Sequence, residues 1–232
     1  MDIKKEVKGL IRDLVEVVVT LAVILIVSKL LFGANMLVPL VAVTSNSMLH
    51  VNDGWATWLN AQGVPADSFP LNSGFSQGDM VLTVTPDGKG TIVPIFSDTQ
   101  LGDVVIYNRD FLHRGNEPII HRVVGVVNVA EYEVSGIEGT LDCLTEEEFN
   151  DDYIKSIKNC QAGGDCPYNE FPEGGDFRFY ITKGDNNHGT DQCGPGNGIA
   201  LPVPESQLSA RGWIRIPYVG WLKLGLNRIL GF

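Results

Sequence analysis

The longest hydrophobic run of the chain lies near its N-terminus, between Leu14 and Phe32. A helix of about 20 apolar residues can cross the hydrocarbon core of a bilayer. Four basic residues precede the run: Lys4, Lys5, Lys8 and Arg12. Because the positive-inside rule keeps such a flank in the cytoplasm, we expect residues 1–35 to form a cytoplasmic N-terminus and a single-pass anchor in the cell membrane. A cleaved signal peptide and a buried core helix are the alternatives.

Short runs rich in β-branched and aromatic residues follow the anchor, separated by turn-forming sequence. They predict strands at Met36–Thr44, Met80–Thr85, Thr91–Phe96, Asp103–Tyr107, Ile119–Val129 and Phe177–Thr182. We therefore expect a mainly β domain outside the cytoplasm, over residues 36–212.

Three segments depart from this strand pattern. Residues 53–77 are rich in Gly, Pro, Asn and Ser, and carry Trp55 and Trp58, which suit either the membrane interface or the core. Residues of about 140–175 are polar and acidic, and we expect a surface insertion with room for one short helix. Residues 213–232 mix aromatic, aliphatic and basic residues, which is typical of an amphipathic segment at a membrane, with a last strand and helix of the core as the alternative.

Composition and charge narrow the range of partners. The chain has 232 residues, 44% of them hydrophobic, which is enough for one domain with a core and an anchor. Its net charge is −11, carried by the middle of the chain, while both ends are slightly basic. An acidic body repels nucleic acid, so we expect no nucleic-acid partner, whereas the basic ends can approach lipid headgroups.

The chain has four cysteines, all in the part expected outside the cytoplasm: Cys143, Cys160, Cys166 and Cys193. Disulfides persist in that environment, so two bridges are expected, and the three possible pairings stay open. A zinc site is the alternative, but the spacing is irregular and contains no C-x-x-C pair.

Ser47 is the candidate nucleophile, in the element Ser45-Asn46-Ser47-Met48 shortly after the anchor. A serine hydroxyl is a weak nucleophile until a base accepts its proton, and a neutral imidazole can do so near pH 7. His121 is the best candidate base, because a polar ring inside the apolar run Ile119–Val129 needs a partner. A purely structural role is the alternative. The other histidines lie in loop-like sequence: His50, His113 and His188.

An aspartate that orients the imidazole would complete this arrangement. Asp185 and Asp191 are both candidates, in a Gly- and Asn-rich stretch after a predicted strand, where ordinary turn chemistry is the alternative. The Ser47 backbone N–H and the Ser45 hydroxyl are local donors for an oxyanion.

Taken together, these motifs resemble signal peptidase I of the archaeal and endoplasmic-reticulum type. S-x-S-M, G-D-V-V-I-Y, P-I-I-H-R-V, T-K-G-D-N-N with a further Asp, and I-P-Y-V-G occur in order between about Val38 and Trp221. The resemblance implies a signal-peptidase-like β catalytic domain that needs no metal or organic cofactor. The implied reaction is removal of signal peptides from exported preproteins after small, A-x-A-like residues.

The same resemblance assigns roles to five residues. Ser47 matches the nucleophile and His121 the general base. Asp191 matches the essential aspartate, Asp185 a nearby acidic position with a supporting or structural role, and Ser45 the serine that helps to hold the oxyanion. The predicted strand at 40–44 would bind an extended substrate by strand addition.

The chain departs from the family pattern at two places. Leu49 and His50 follow Met48, where the family usually has a variable residue and then Pro, and the cysteine-bearing insertion is atypical. A bridge at Cys193 would hold the loop of Asp191. Expected partners are signal peptides of secretory preproteins and membrane lipid, with subunits of the secretion machinery as further candidates. A dedicated protease with few substrates and a catalytically silent, membrane-tethered peptide-binding domain are the alternative functions.

Overall fold

The computed structural model describes residues 3–33, 38–89, 91, 97–113, 115, 117–194, 198–221 and 225, with side chains from residue 7 onward. Its eight strands are β1 (Leu40–Ala42), β2 (Met80–Val84), β3 (Val104–Tyr107), β4 (Ile119–Ala130), β5 (Glu133–Gly139), β6 (Phe177–Lys183), β7 (Val203–Pro204) and β8 (Leu208–Ile216). They form one sheet in the order β1-β2-β8-β3-β4-β6-β7, and β5 also pairs with β4. Every pairing is antiparallel. The expectation of a mainly β chain with one apolar N-terminal helix is confirmed.

That N-terminal helix is α1 (Ile3–Phe32), and it is long and apolar enough to cross a membrane. Within Val7–Phe32, its most apolar 18-residue stretch has a mean hydropathy of 2.6, and none of that stretch is buried in the protein. The core-helix alternative is therefore wrong. Gly33 ends the helix with a positive φ of 64°, and its N–H donates to the carbonyl of Lys29 at 2.9 Å.

The C-terminal end of α1 is attached to the sheet. The Thr85 N–H, just after β2, donates to the Phe32 carbonyl at 2.7 Å. The rings of Phe32 and Trp213 in β8 pack with their centroids 6.1 Å apart. The start of the β domain is thus held close to the end of the apolar helix.

β4 runs through the middle of the sheet, and its side chains are buried on both faces. Val124, Val127 and Val129 pack into one cluster with aromatic residues of β6, whereas Val123 and Val126 pack into a second cluster with residues of β3. The nearly continuous apolar sequence of this strand follows from its two covered faces.

The cysteine-bearing segment covers one of those faces, so it is more than a surface insertion. It contains α3 (Glu146–Glu148), a π-helical turn (Phe149–Tyr153) and α4 (Ile154–Gln161). Phe149, Ile154 and Ile157 are buried against the aromatic residues of β6. The π-helical turn interrupts the 3.6-residue period, which explains why the apolar pattern of this segment was not apparent in the sequence.

The other two irregular segments also contribute to the β domain. Residues 53–77 contain α2 (Gly54–Ala61), and both Trp55 and Trp58 pack against the core, as the core alternative for them predicted. β8 extends to Ile216, so the expected boundary at residue 213 falls inside a strand. The predicted strand Thr91–Phe96 and the last residues of the C-terminal segment lie largely outside the described residues.

All four cysteines form disulfides. Cys143 is bonded to Cys193, and Cys160 is bonded to Cys166. We call the first pair the loop disulfide, because it holds the loop after β6, and the second pair the helix disulfide, because Cys160 belongs to α4.

Candidate active site

Ser47, His121 and Asp191 lie together in a chain of two hydrogen bonds. The Ser47 Oγ is 2.9 Å from the His121 Nε2, and the His121 Nδ1 is 2.7 Å from the Asp191 Oδ2. The three residues come from distant parts of the chain: the turn after β1, strand β4 and the loop after β6. This is the arrangement in which a histidine can accept a serine proton while a carboxylate fixes its orientation.

The turn that carries Ser47 is anchored by its neighbours in sequence. Met48 is completely buried, and its carbonyl accepts a hydrogen bond from the Phe75 N–H at 2.8 Å. The Ser47 carbonyl accepts from the Asn186 N–H at 2.7 Å, which joins the turn to the loop after β6. Burial of the methionine thus fixes the turn while Ser47 stays partly accessible.

Asp191 is only 2% exposed, yet its Oδ2 atom has three hydrogen-bonding neighbours. Besides the His121 Nδ1, the Tyr107 hydroxyl lies at 2.8 Å and the Thr182 hydroxyl at 2.7 Å. Burial and the negative charge of Asp191 raise the pKa of Tyr107 well above its usual value, so the phenol stays protonated and can donate. Three neighbours on one oxygen hold the buried side chain of Asp191 in a fixed position.

The backbone also holds Asp191 in place. Its N–H donates to the Thr182 carbonyl at 2.7 Å, and its own carbonyl accepts from the Ile199 N–H at 2.7 Å. The other carboxylate oxygen, Oδ1, is buried and has no hydrogen-bond partner among the described residues. The carboxylate is therefore directed through one oxygen toward His121.

Asp185, the other candidate aspartate, binds Arg122 instead of His121. The Arg122 Nε donates to its Oδ1 at 2.9 Å, and the Arg122 Nη2 donates to its Oδ2 at 2.8 Å. His50 Nε2 lies 2.7 Å from the same Oδ2. Burial alone would raise the pKa of Asp185. The hydrogen bonds from His50 and Arg122 and the arginine charge lower it by more than burial raises it, so the pKa lies below its usual value. The contacts thus separate the two aspartates that sequence left as alternatives.

The remaining histidines have other surroundings. The ring of His50 stacks on Trp55 with centroids 4.4 Å apart and faces Asp185. His113 Nδ1 lies 2.8 Å from the Asp110 carboxylate, and His188 is exposed. Of the four, His121 is the imidazole in contact with Ser47.

Ser45 lies beside the nucleophile candidate. Its Oγ is 3.1 Å from the Ser47 Oγ, and the side chain is exposed. A rotatable hydroxyl at that position can donate to an oxyanion that forms next to Ser47. The Ser47 N–H, the second local donor expected from the sequence, stays a prediction.

Strand β1 is an edge strand that leads directly to this site. It pairs with β2 on one side, and within the described part of the chain no strand pairs with its other side. The backbone groups of such an edge can bind an extended peptide as a further strand.

Sequence reasoning missed several residues that shape the site. Tyr107 and Thr182 fall within predicted strands and carried no separate signal. Gly184 packs directly on the histidine, since a Cβ atom there would lie 2.9 Å from the His121 Nε2. Arg122 had a detectable signal, because a charge inside the apolar run of β4 requires a buried partner.

A metal site is not apparent in the described residues, where no three His, Cys, Asp or Glu side chains are grouped to hold an ion. Comparison with known proteins adds no identification: no family model, curated protein or solved structure matches this chain.

Proposed function

We propose that this protein is a membrane-bound serine endopeptidase of the signal peptidase I type, which removes signal peptides from exported preproteins after small residues. The hydrogen-bonded chain from Ser47 through His121 to Asp191 is the observation that carries the proposal. The order of the sequence motifs, which resembles that family, supplies the substrate class.

In the proposed reaction, the Ser47 Oγ attacks the carbonyl carbon of the scissile peptide bond while the His121 Nε2 accepts the hydroxyl proton. The carbonyl oxygen becomes an oxyanion, which the Ser45 hydroxyl and the Ser47 N–H stabilise. The imidazolium then gives its proton to the leaving amine, which departs as the new N-terminus of the mature protein. Water, activated by His121, hydrolyses the acyl-enzyme and restores Ser47.

Asp191 serves this cycle without taking up a proton. Its Oδ2 accepts the His121 Nδ1–H, which leaves Nε2 unprotonated and directed at Ser47. The hydroxyls of Tyr107 and Thr182 hold the carboxylate in place beside His121, where its charge stabilises the imidazolium when it forms. Asp185 has a structural role in this proposal, as the buried partner of Arg122.

The position of α1 supports a substrate that arrives through the membrane. The helix ends next to β2, which is the pairing partner of the edge strand β1. With the N-terminus in the cytoplasm, as the basic flank predicts, a signal peptide leaving the bilayer on the outer side would meet β1 and then Ser47. Small residues near the cleaved bond fit the shallow apolar sites that the resemblance implies.

The test is cleavage of a preprotein with an A-x-A site by the purified full-length protein in detergent micelles. Wild type is compared with Ser47→Ala and His121→Ala, and Ser156→Ala in α4 is the matched control. We expect both site variants to lose about 10⁴-fold or more in kcat, as for other catalytic triads, and the control to cleave like wild type. Mass spectrometry of the products identifies the cleaved bond.

Two outcomes would contradict the proposal. Full activity in Ser47→Ala would exclude this serine as the nucleophile. No cleavage of several preproteins by folded wild type would favour a catalytically silent peptide-binding domain or a protease dedicated to few substrates.

A further inference from the structure

The turn after β5 contacts the loop of Asp191 on both sides of that residue. Asp142 Oδ2 accepts hydrogen bonds from the Thr190 N–H at 3.1 Å and from the Thr190 hydroxyl at 3.0 Å. Cys143 forms the loop disulfide with Cys193, and its N–H also donates to the Cys193 Sγ at 3.1 Å. Thr190 directly precedes Asp191 and Cys193 follows two positions later, so Asp191 lies between two tethers.

This turn is itself fixed to the strand that carries His121. The Thr140 N–H, directly after β5, donates to the carbonyl of Val124 in β4 at 2.9 Å. The Thr140 hydroxyl then accepts from the Asp142 N–H at 3.0 Å. Asp142 has a φ of 57°, a left-handed conformation that Asp adopts more readily than most residues. The contacts therefore connect β4 to Asp191 by a path separate from the His121 side chain.

Asp191 needs such support because it lies in a loop and not in a strand. Its carboxylate must stay within hydrogen-bond distance of the His121 Nδ1, now 2.7 Å away. An error of about 1 Å in the position of a catalytic group can lower a rate about a hundredfold. Two tethers that flank the residue restrict its backbone in a way that the carboxylate contacts alone do not.

We propose that Asp142 and Cys143 form a brace that positions Asp191 for catalysis. Both are positioning residues, since they act through the loop of Asp191 and touch neither Ser47 nor His121. The role of the brace in hydrolysis rests on the proposed function. The inserted segment that follows β5 thus begins with a part that serves the active site.

The first experiment compares the two disulfides in the full-length protein in micelles. Cys143→Ser/Cys193→Ser removes the loop disulfide, and Cys160→Ser/Cys166→Ser removes the helix disulfide as a matched control. For the loop variant we expect a loss of about tenfold to a hundredfold in kcat with an unchanged KM, because the brace does not contact the peptide. The helix variant should stay within about twofold of wild type.

Reversible reduction separates positioning from failed folding. In the Cys160→Ser/Cys166→Ser protein, dithiothreitol reduces only the loop disulfide: the two sulfurs gain two electrons and two protons, and dithiothreitol is oxidised to its cyclic disulfide. We expect cleavage to slow after reduction and to recover after reoxidation with oxidised glutathione. The same treatment should leave the Cys143→Ser/Cys193→Ser protein unchanged.

The second tether is tested by a matched pair at Asp142. Asp142→Gly removes the acceptor while tolerating the left-handed backbone, so it should lower kcat. Asp142→Asn keeps one acceptor oxygen, and both hydrogen bonds from Thr190 go to a single oxygen, so this variant should retain most of the activity.

A measurement independent of cleavage makes the two proposals distinguishable. The His121 Nδ1 proton, hydrogen-bonded to Asp191, is expected to give a low-field proton resonance, which His121→Ala identifies by its loss. That resonance should weaken or disappear in Cys143→Ser/Cys193→Ser and in Asp142→Gly, and persist in the helix-disulfide variant. If wild type does not cleave preproteins but the His121 resonance weakens in the two brace variants, the positioning role of the brace is supported and the proposed function is contradicted. An unchanged resonance and an unchanged kcat in both brace variants would overturn the brace.

Discussion

Replacing Arg122 by methionine is expected to destabilise the folded protein by about 3–5 kcal/mol. The arginine is 0% exposed, and its guanidinium donates five hydrogen bonds. Two go to the carboxylate of Asp185, and three go to the backbone carbonyls of Pro70, Leu71 and Gly102. Methionine fills much of the same volume against Trp55 and Phe69 but supplies none of these donors.

The magnitude follows from what the substitution leaves behind. The Asp185 side chain is 3% exposed, and without Arg122 it would keep the hydrogen bond with His50 and the more distant charge of Lys183. Removing one partner of a buried ion pair typically costs about 3–5 kcal/mol, because the other charge stays desolvated without compensation. The three backbone carbonyls that lose a donor raise the cost in unfolding free energy further, because an acceptor that water does not reach stays without a hydrogen bond.

The cost should also depend on pH in a defined direction. In wild type, the pKa of Asp185 is below its ordinary value of 3.8, so its stabilising effect is present above that value and is lost as the pH falls through the folded-state pKa. Without Arg122, its hydrogen bonds and its charge no longer lower the pKa of Asp185, so this pKa rises relative to wild type, although His50 still opposes the effect of burial. The penalty then applies at neutral pH and fades as the carboxylate takes up a proton. The difference in stability between wild type and variant should be largest near neutrality and should shrink toward acid pH.

The assay is urea unfolding in detergent micelles at several pH values, followed by tryptophan fluorescence. Arg178→Met is the matched control, because Arg178 makes ion pairs with Asp98 and Glu205 but its side chain is 24% exposed. That change should cost no more than about 1 kcal/mol. If Arg122→Met costs as little as the control, or if its cost does not shrink in acid, the assignment of Asp185 as the buried partner of Arg122 is refuted.

Three further predictions concern the site and its supports. Asp191→Asn should lower kcat about 10⁴-fold in the preprotein assay. Asp185→Asn protein that is shown to be folded should lose less than about tenfold in kcat. If Asp185→Asn loses more than Asp191→Asn, the roles assigned to the two aspartates are exchanged. Gly184→Ala should lower kcat/KM about a hundredfold, because its Cβ would lie 2.7 Å from the Asn187 Nδ2 and 2.9 Å from the His121 Nε2. Gly54→Ala is the control, since a Cβ there would have nothing within 4 Å. The loop disulfide spans 50 residues, and its loss should lower the free energy of unfolding by about 4 kcal/mol. The helix disulfide spans 6 residues, and its loss should lower the same free energy by about 2 kcal/mol, both measured by urea unfolding. Equal costs would contradict the loop-entropy argument.

The sequence was most informative where one strong pattern covered a whole element. α1 and β4 were predicted because long apolar runs leave few other structures for them. β5 was missed because its sequence, EVSGIEG, is polar and contains two glycines, and most of the strand is exposed. β8 was predicted only in part, as the last strand in the alternative for the C-terminal segment, because its aromatic and basic residues also suit a membrane surface. In both elements, pairing with a neighbouring strand overrides a weak local preference.

The sequence predicted which types of residue form the candidate site, but it did not predict which aspartate is the partner of His121. Ser47 and His121 could be singled out because a serine pair follows the anchor, a histidine lies inside an apolar run, and the order of the motifs resembles a known family. Asp185 and Asp191 could not be ranked from local sequence, because both lie in the same polar loop. The choice between them depends on which side chains each meets, and those come from three other strands and turns.

The register of the sheet explains why the two aspartates have different partners. His121 lies opposite Val105 in β3, and Val123 lies opposite Thr182 in β6. Since side chains alternate with a period of two, Tyr107, His121 and Thr182 share one face of the sheet, and all three meet Asp191.

Arg122 follows His121 in β4, and Lys183 follows Thr182 in β6. These two residues lie opposite each other in the sheet, and their side chains point to the other face. There they lie over the rings of Trp55 and Trp58, with centroid distances of 5.0 and 4.7 Å. Asp185, two residues beyond Lys183, meets Arg122 on that side. A slip of β4 by one residue would exchange His121 and Arg122 between the faces and would break both carboxylate pairs at once. Because His121 and Arg122 are adjacent in β4, the hydrogen bond of His121 with Asp191 and the ion pair of Arg122 with Asp185 both require the same register of this strand.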